Sequence, residues 1–344
     1  MPPRTERAFT LVELMVAMAL MVVVVMWLTQ AFTVQHRTYT VVEQVTETQQ
    51  NSTAIAGLIE REIRAAGFLV PENAAVCGVD NTNASDVLYV SASDLVDPSG
   101  VNNPDLGWGL APGASQGFNE GDAGFNELLR LDNRILDDGD SLGFFDTDGN
   151  GTNDSDLIEN MGVIVVDLNN SSRGAACGRV TDVPDGGTPP VNVNITVDYE
   201  ATMDGGASGT ADIHVVPAHV YDLDANGNLR RNGVLLAPDV EDFQVSYFYD
   251  LDGDGSVTGS NEVPGSGMTG ANLYDTASGL WLGNDLREVR LAVVVRTRDQ
   301  DPNVNYHEGV FQATENRVAP AGNDRFRRRV YQSNVRVRNV GFRD

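Results

Sequence analysis

The chain has 344 residues, a formal net charge of −26 and a pI near 4.3. This length accommodates one large domain or two smaller ones, and the 41% apolar content indicates a folded chain rather than a disordered one. The acidic balance argues against a general nucleic-acid coat, because such proteins need a basic surface.

An apolar segment of membrane length opens the chain. Residues 9–28 are interrupted only by Thr10 and Glu13, and a helix of this length spans roughly 30 Å, the thickness of a bilayer core. Arg4 and Arg7 precede the segment, which predicts a cytoplasmic N-terminus and export of the remainder. A secretory signal peptide is the competing interpretation, but the apolar run is too long and no small-residue cleavage site follows promptly. A lone carboxylate at such a position indicates a function.

The helix is predicted to continue past the membrane to residue 66. Apolar residues recur at helical spacing, and no proline occurs between Pro3 and Pro71. Gly67 stands where a left-handed residue commonly ends a helix. The polar face of this half is predicted to consist of Glu60, Arg61, Glu62 and Arg64.

Residues 67–344 alternate short β-rich runs with clusters of Gly, Asn, Asp and Pro. This pattern predicts an antiparallel β-rich head with long loops. The predicted fold class is therefore α+β, a long N-terminal helix followed by a large globular head. The clearest predicted strands are Val87–Ser91, Val163–Asp167, Val191–Val197, Phe243–Tyr249 and Val289–Val295.

The two cysteines of the chain are Cys77 and Cys177. Both follow the membrane segment, and a single pair in an exported domain predicts one disulfide in an oxidising compartment. Two unrelated buried thiols are the alternative.

The C-terminal segment is basic, although the chain is acidic. Arg287–Asp344 contains twelve arginines and seven acidic residues, and all 23 basic residues of the chain are arginine. Arg327, Arg328 and Arg329 are predicted mainly to pair with acidic loops of the same chain. A partner's acids or DNA phosphates are the alternative ligands.

Two acidic loops place oxygen donors at the alternating spacing that wraps a calcium ion. The donors of one loop are Asp250, Asp252, Asp254 and Ser256. The donors of the other loop are Asp146, Asp148, Asn150 and Asp154. We expect a structural Ca²⁺ in these loops, with a solvated turn as the alternative.

A third acidic loop, residues 222–229, has a similar opening at Asp222 and Asp224. Its Asn226-Gly227 pair equally predicts a tight β-hairpin turn. Catalytic patterns are absent from the whole sequence, which has no metalloprotease histidine spacing, no phosphate-binding glycine loop and no Cys-x-x-Cys. We therefore do not expect an enzyme.

Residues 8–17, Ala-Phe-Thr-Leu-Val-Glu-Leu-Met-Val-Ala, resemble the processing and assembly segment of type IV pilins and type II secretion pseudopilins. The resemblance implies that a prepilin peptidase cuts between Ala8 and Phe9 and N-methylates the new terminus. It also implies that Glu13 pairs with the N-terminal amine of a neighbouring subunit and thereby sets subunit register. The family usually has glycine before the cut, where this chain has Ala8.

The resemblance divides the chain into three parts. Residues 1–8 are a leader, and residues 9–66 are the helix, with 9–28 in the membrane and 29–66 amphipathic and packed on the head. Residues 67–344 form the head. The implied location is a single pass through the inner membrane with a periplasmic head, which becomes extracellular when the protein is assembled in a pilus.

The C-terminal half is similar to minor pilins of the PilW type and to J-type minor pseudopilins of type II secretion. Short motifs such as Val220–Leu223, Val240–Tyr247 and Arg287–Leu291 carry the similarity. It implies a minor pilin that primes pilus assembly with other minor pilins and sits with a tip protein at the pilus end. No nucleic-acid partner is expected.

Two alternatives remain open on the sequence. A minor pseudopilin would share the helix chemistry but serve protein secretion. A membrane-anchored, calcium-binding adhesion or DNA-uptake module would instead bind a surface or DNA through its head, and DNA binding would show a steep salt dependence.

Overall fold

Helix α1 spans Leu11–Ala65 in the computed structural model of the chain. Its 55 residues make it roughly 83 Å long. Gly67 follows the helix with a φ of 79°, the left-handed conformation predicted for that position. The structure describes residues 10–68, 70–81, 84–92, 108–109, 128–132, 144–145, 154–155, 159–167, 174–182, 192–201, 213–250, 257, 286–303, 305–306, 309–310, 314–315, 317 and 323–340.

The two halves of α1 have different surroundings. The membrane-length half is exposed along its whole apolar run, from Leu11 to Leu28. The second half packs against the head through Ile55, Ile59 and Ile63, which recur at helical spacing and are buried.

Seventeen strands and a 3-10 turn at Glu72–Ala74 follow α1 in the part of the chain that the structure describes. The first nine strands are β1 Val76–Val79, β2 Val87–Ser91, β3 Trp108–Gly109, β4 Leu128–Asp132, β5 Phe144–Phe145, β6 Asp154–Ser155, β7 Gly162–Asp167, β8 Ala175–Asp182 and β9 Asn192–Ala201. The remaining eight are β10 Ile213–Leu223, β11 Leu229–Arg231, β12 Val234–Ala237, β13 Val240–Tyr249, β14 Leu286–Arg296, β15 Gly309–Val310, β16 Asn323–Asp324 and β17 Arg328–Arg336.

The larger sheet runs in the order β1-β2-β10-β7-β8-β9-β4, with β3, β11 and β12 attached through β10. Its neighbouring strands are antiparallel. The predicted α+β fold class, a long helix followed by an antiparallel β-rich head, is thus confirmed. Each of the five clearest predicted strands lies within or overlaps an observed strand.

A disulfide between Cys77 on β1 and Cys177 on β8 shows that the larger sheet is rolled. Strands β1 and β8 are four positions apart in the strand order, which in a flat sheet separates them by roughly 19 Å. The two Cα atoms are nevertheless 6.3 Å apart, and both side chains are fully buried. The cross-link therefore closes the roll through its interior.

The smaller sheet has the order β13-β14-β17. Its alternate residues on one face, including Phe243, Val245, Leu291 and Val335, are buried in the same core as the buried face of α1. Helix and both sheets therefore share one continuous core.

Asp86 joins the two sheets at the entrance to β2. Its backbone N–H donates to the Phe243 carbonyl, and its carboxylate accepts the Val245 N–H, both at 2.8 Å. A second carboxylate oxygen accepts the Asn81 N–H, also at 2.8 Å. These bonds fix the start of the larger sheet against β13 of the smaller one.

The disulfide is expected to stabilise the head strongly, because it closes a loop of 100 residues. Replacing both cysteines with alanine should lower the free energy of unfolding by about 4–5 kcal/mol. Equilibrium unfolding of the full-length protein in detergent measures this, and the parent protein under reducing conditions is the matched control. A loss below about 1 kcal/mol would contradict the role of the bond in closing the roll.

Candidate functional site

Glu13 lies in the first turn of α1 and caps the helix together with Thr10. The Thr10 N–H and hydroxyl donate to the Glu13 carboxylate at 2.9 and 3.0 Å, while the Glu13 N–H donates to the Thr10 hydroxyl at 3.3 Å. This reciprocal capping box orients the carboxylate towards the start of the helix. Glu13 is therefore positioned beside the place where a mature N-terminus would begin.

The processing residues Ala8 and Phe9 lie outside the described residues. Cleavage between them would remove neither Thr10 nor Glu13, so the capping box is compatible with the implied maturation.

The surface around Glu13 is apolar. Among the described residues, α1 is the single helix long and apolar enough to cross a membrane, and its apolar window is not buried against the head. Between Glu13 and His36 the helix carries no ionisable side chain. In a bilayer, a carboxylate at this position would need a cationic partner.

On one side of α1, Glu60 binds the second half of the helix to the smaller sheet. This residue is only 8% exposed, and its carboxylate accepts a hydrogen bond from the Tyr331 hydroxyl on β17 at 2.8 Å. Arg64, one turn along the helix, donates to it at 2.8 Å. Burial raises the pKa of Glu60, but hydrogen bonds from Ser333, Tyr331 and Arg64 outweigh that effect and hold the pKa below its ordinary value.

On the opposite side of the helix, Glu62 binds the larger sheet. It accepts the hydroxyl of Tyr221 on β10, which is fully buried, and it pairs with Arg231 on β11 at 2.7 Å. Successive helix residues are rotated by about 100°, so Glu60 and Glu62 point in nearly opposite directions. The helix therefore lies in a groove between the two sheets.

The end of the chain caps the C-terminus of α1. The Asn339 side-chain amide donates to the carbonyls of Ala65 and Ala66 at 3.2 and 3.1 Å, and the Ser91 hydroxyl accepts the Gly67 N–H at 3.0 Å. These contacts satisfy backbone groups that a helix end leaves unpaired. The chain end is thus part of the helix-docking groove.

The predicted polar face of α1 needs correction. Arg61 and Arg64 are exposed, but Glu60 is buried and Glu62 is half-buried, each bound to a tyrosine of the head. Sequence reasoning missed this because the partners of Glu60 and Glu62 lie 271 and 159 residues away. The sequence feature that could have indicated these contacts is the presence of two acidic residues close together on a helix that also has a strong apolar stripe.

The structure joins the two predicted disulfide residues, whereas most of the predicted calcium ligands lie outside the residues that it describes. Cys77 and Cys177 are joined, as described above. Asp250 is buried and pairs with Arg287 at 3.2 Å, so a calcium ion at this carboxylate would compete with a guanidinium. The other proposed ligands lie outside the described residues, apart from the backbone of Asp154 in β6: Asp252, Asp254, Ser256, Asp146, Asp148 and Asn150.

No group of three or more His, Cys, Asp or Glu side chains suited to a metal ion occurs within the described residues. Calcium binding by the loops around Asp146 and Asp252 therefore stays a prediction.

The third acidic loop forms the β-hairpin turn between β10 and β11. The Asp224 carboxylate accepts the backbone N–H groups of Asn226 and Asn228 at 2.8 and 2.9 Å, and Gly227 has a φ of 78°. Asp222 is ion-paired with Arg230 and Arg179. The turn interpretation therefore accounts for the acidic residues of this loop.

Of the three consecutive arginines 327–329, two form ion pairs within the head and one is exposed. Arg327 pairs with Asp301 at 2.7 Å, and Arg328 pairs with both Glu241 and Asp324. The mainly structural role that we predicted holds for these two. Arg329 is exposed on β17 and forms no ion pair within the described part of the chain.

Two families match separate parts of the chain. The family described as the prokaryotic N-terminal methylation motif matches residues 3–29, which include Glu13 and most of the apolar segment. The family described as type IV pilus-assembly protein W matches residues 217–339. Comparisons with curated proteins and with solved structures gave no match.

The second matched segment supplies the groove that holds α1. Tyr221, Arg231, Tyr331 and Asn339, which bind the lower half of the helix, all lie within residues 217–339. The two matched segments are therefore physically joined through one helix.

The contacts of Glu60 predict that the free energy of unfolding of the protein depends on pH. Because the folded-state pKa of Glu60 lies below its ordinary value of 4.5, its stabilising contribution is present above that value and is lost as the pH falls through the folded-state pKa. Glu60→Gln should therefore be less stable than the parent near neutral pH, and the difference should shrink in acid.

Unfolding of the full-length protein from about pH 3 to about pH 7 tests this. Glu43→Gln, at an exposed position of the same helix, is the matched control and should show no such trend. A Glu60→Gln difference that stays constant across the range would contradict the role of the charge.

Proposed function

We propose that the chain, whose residues 3–29 match the N-terminal methylation motif and whose residues 217–339 match the type IV pilus-assembly protein W family, is a minor pilin that helps to prime type IV pilus assembly and is retained at the pilus tip. Its N-terminal segment spans the inner membrane with the N-terminus cytoplasmic and the head periplasmic. Prepilin peptidase removes residues 1–8, and the new N-terminus at Phe9 is methylated.

One observation carries this proposal. A methylation motif at residues 3–29 heads a membrane-length helix, and the other half of the same helix lies in a groove built by the region that matches the pilus-assembly family. An ordinary membrane anchor needs no such motif. A passive anchor also needs no carboxylate oriented at the start of its apolar segment.

Helix packing through Glu13 is the proposed mechanism of assembly. In the membrane, the carboxylate of one subunit pairs with the methylated amine of a neighbour, because each charge is costly alone in an apolar medium. The pair forms only when the helices are in one axial register. The long apolar surface from Leu11 to Leu28 then packs against the apolar helices of neighbouring pilins.

The head favours a position at an end of the filament. It is large and strongly acidic, with residues 67–344 carrying 18 arginines and 43 acidic residues. Many copies of such a head along a shaft would repel one another. A low copy number at the tip, together with other minor pilins and a tip protein, avoids that repulsion.

Processing is testable on the protein isolated from producing cells. Its N-terminal residue should be Phe9 carrying one methyl group, which intact mass and N-terminal peptide analysis will detect. Ala8→Arg, which places a bulky charge at the cleavage point, should accumulate the uncut chain, whereas Ala8→Gly should be processed as well as the parent. Efficient cutting of the Ala8→Arg variant would contradict the proposed cleavage position.

Replacement of Glu13 tests the assembly role. Glu13→Gln should leave membrane insertion intact and strongly reduce incorporation into sheared pili, because the neutral side chain cannot pair with the neighbour's amine. Incorporation is measured by quantitative immunoblotting of pili and of membranes. Glu43→Gln, farther along the exposed face of the helix, is the matched control and should assemble like the parent.

Normal incorporation of Glu13→Gln would disprove the role of this carboxylate. Incorporation of the chain into secretion filaments but not into pili would instead favour the pseudopilin alternative.

A further inference from the structure

Strand β17 leaves one edge of the smaller sheet open in the described part of the chain. It is the last strand in the order β13-β14-β17, and it is nine residues long. An edge strand of this length presents a row of unpaired backbone N–H and C=O groups that another strand can use.

The register identifies which residues present these groups. Bonds from the Val337 N–H to the Arg287 carbonyl and from the Thr297 N–H to the Arg327 carbonyl place the odd-numbered residues opposite β14 as hydrogen-bonded pairs. The backbone groups of the even-numbered residues therefore point away from β14. These residues are Arg328, Val330, Gln332, Asn334 and Arg336.

Unpaired arginines line this open edge. Arg329, Arg336 and Arg338 are exposed, and none forms an ion pair within the described part of the chain. Glu288 is opposite Arg336 in the register, yet the two side chains are not within ion-pair distance. Most other arginines of the head are ion-paired, including the arginine in the buried Arg287–Asp250 pair.

Arginines without an ion pair are unexpected in a chain that contains more acidic residues than arginines. The chain has 49 acidic residues and 23 arginines, so an acid is available for every arginine. Three exposed arginines without one, on β17 and in the turn after it, leave a local positive charge at this edge.

We propose that the β17 edge is a docking site for an extended, acid-rich segment of another pilin subunit, which adds to the smaller sheet as a fourth strand. The proposal specifies a partner surface for the assembly role above and so rests on it. Arg329 to Arg336 covers about 23 Å of extended chain, and Arg338 follows in the turn after the strand. The partner segment would thus be about eight to ten residues long, with carboxylates near both ends.

A second copy of this chain is disfavoured as the occupant. Strand β17 contains three arginines and no acidic residue, so antiparallel pairing with its counterpart would supply no carboxylate to Arg329 or Arg336. The arginines therefore select against self-pairing and in favour of an acidic strand.

Site-specific photocrosslinking in cells that assemble pili tests the proposal on the full-length protein. A photoreactive phenylalanine derivative replaces Gln332, at the middle of the edge. The same derivative at Val234, an exposed residue of β12 on the other sheet, is the position control. The expected product joins Gln332 to an acid-rich segment of another pilin, and the joined peptide is identified by mass spectrometry.

Two sets of variants separate backbone pairing from charge. Val330→Pro removes an outward N–H at a site where an edge strand tolerates proline, whereas Val330→Thr keeps that N–H. The proline variant should abolish the product, and the threonine variant should retain it. Arg329→Glu with Arg338→Glu should reduce the product by about tenfold, while Arg37→Glu, on the exposed upper helix, should not. Melting temperatures of all variants check that the head remains folded.

Several results would overturn the inference. One is the absence of a crosslinked product above the Val234 control. The others are a crosslink to lipid, a nuclease-sensitive crosslink to DNA, and a crosslink to a second copy of this chain. If the chain is found in pili without any such product, the edge inference fails and the proposed function stands. A product with an acidic strand of a protein unrelated to pilins would support the edge pairing and count against the proposed function.

Discussion

The structure depends on two carboxylates of one helix that bind the head on opposite flanks. Glu60 meets Tyr331 on one flank, and Glu62 meets Tyr221 and Arg231 on the other. A carboxylate removed from water is costly unless it is hydrogen-bonded or paired. Because each helix residue adds about 100° of rotation, a slip of one residue would leave both acids without their partners. The apolar stripe holds the helix in the groove, and these acids define its register there.

A rigid connection between helix and head follows from this arrangement. The exposed first half of α1 and the second half that packs on the head belong to one continuous helix, so the head is held in a defined orientation about the exposed apolar segment. Asn339 completes the groove by binding the last carbonyls of the helix. Contacts between residues 60 and 331 require the last strand, so the helix docks fully only when the C-terminal segment is in place.

The unequal distribution of charge has two consequences in the structure. Inside the head, arginines of the basic C-terminal segment pair with carboxylates from distant parts of the chain, as Arg328 does with Glu241. At the surface, the same segment supplies arginines beside β17 that form no ion pair with any residue the structure describes. A chain that is acidic overall therefore presents a local basic strand, which differs in charge from the rest of its surface.

The sequence by itself determined the membrane-length helix, the position of Glu13, the left-handed Gly67 and the antiparallel β-rich character of the head. These features depend on local spacing, since hydrophobic periodicity and turn residues act over a few neighbouring positions. The internal pairing of Arg327 and Arg328 was also predictable in kind, although not in its partners.

Only the tertiary structure decided which polar residues face the core and which face solvent. Glu60 and Glu62 were predicted to lie on the polar face of the helix, but both bind residues of the head that are more than 150 positions away. The roll of the larger sheet brings Cys77 to Cys177 across four strand positions, and the register of β14 with β17 decides which backbone groups remain open. Such contacts join distant segments of the chain, and local spacing contains no information about which segments become neighbours.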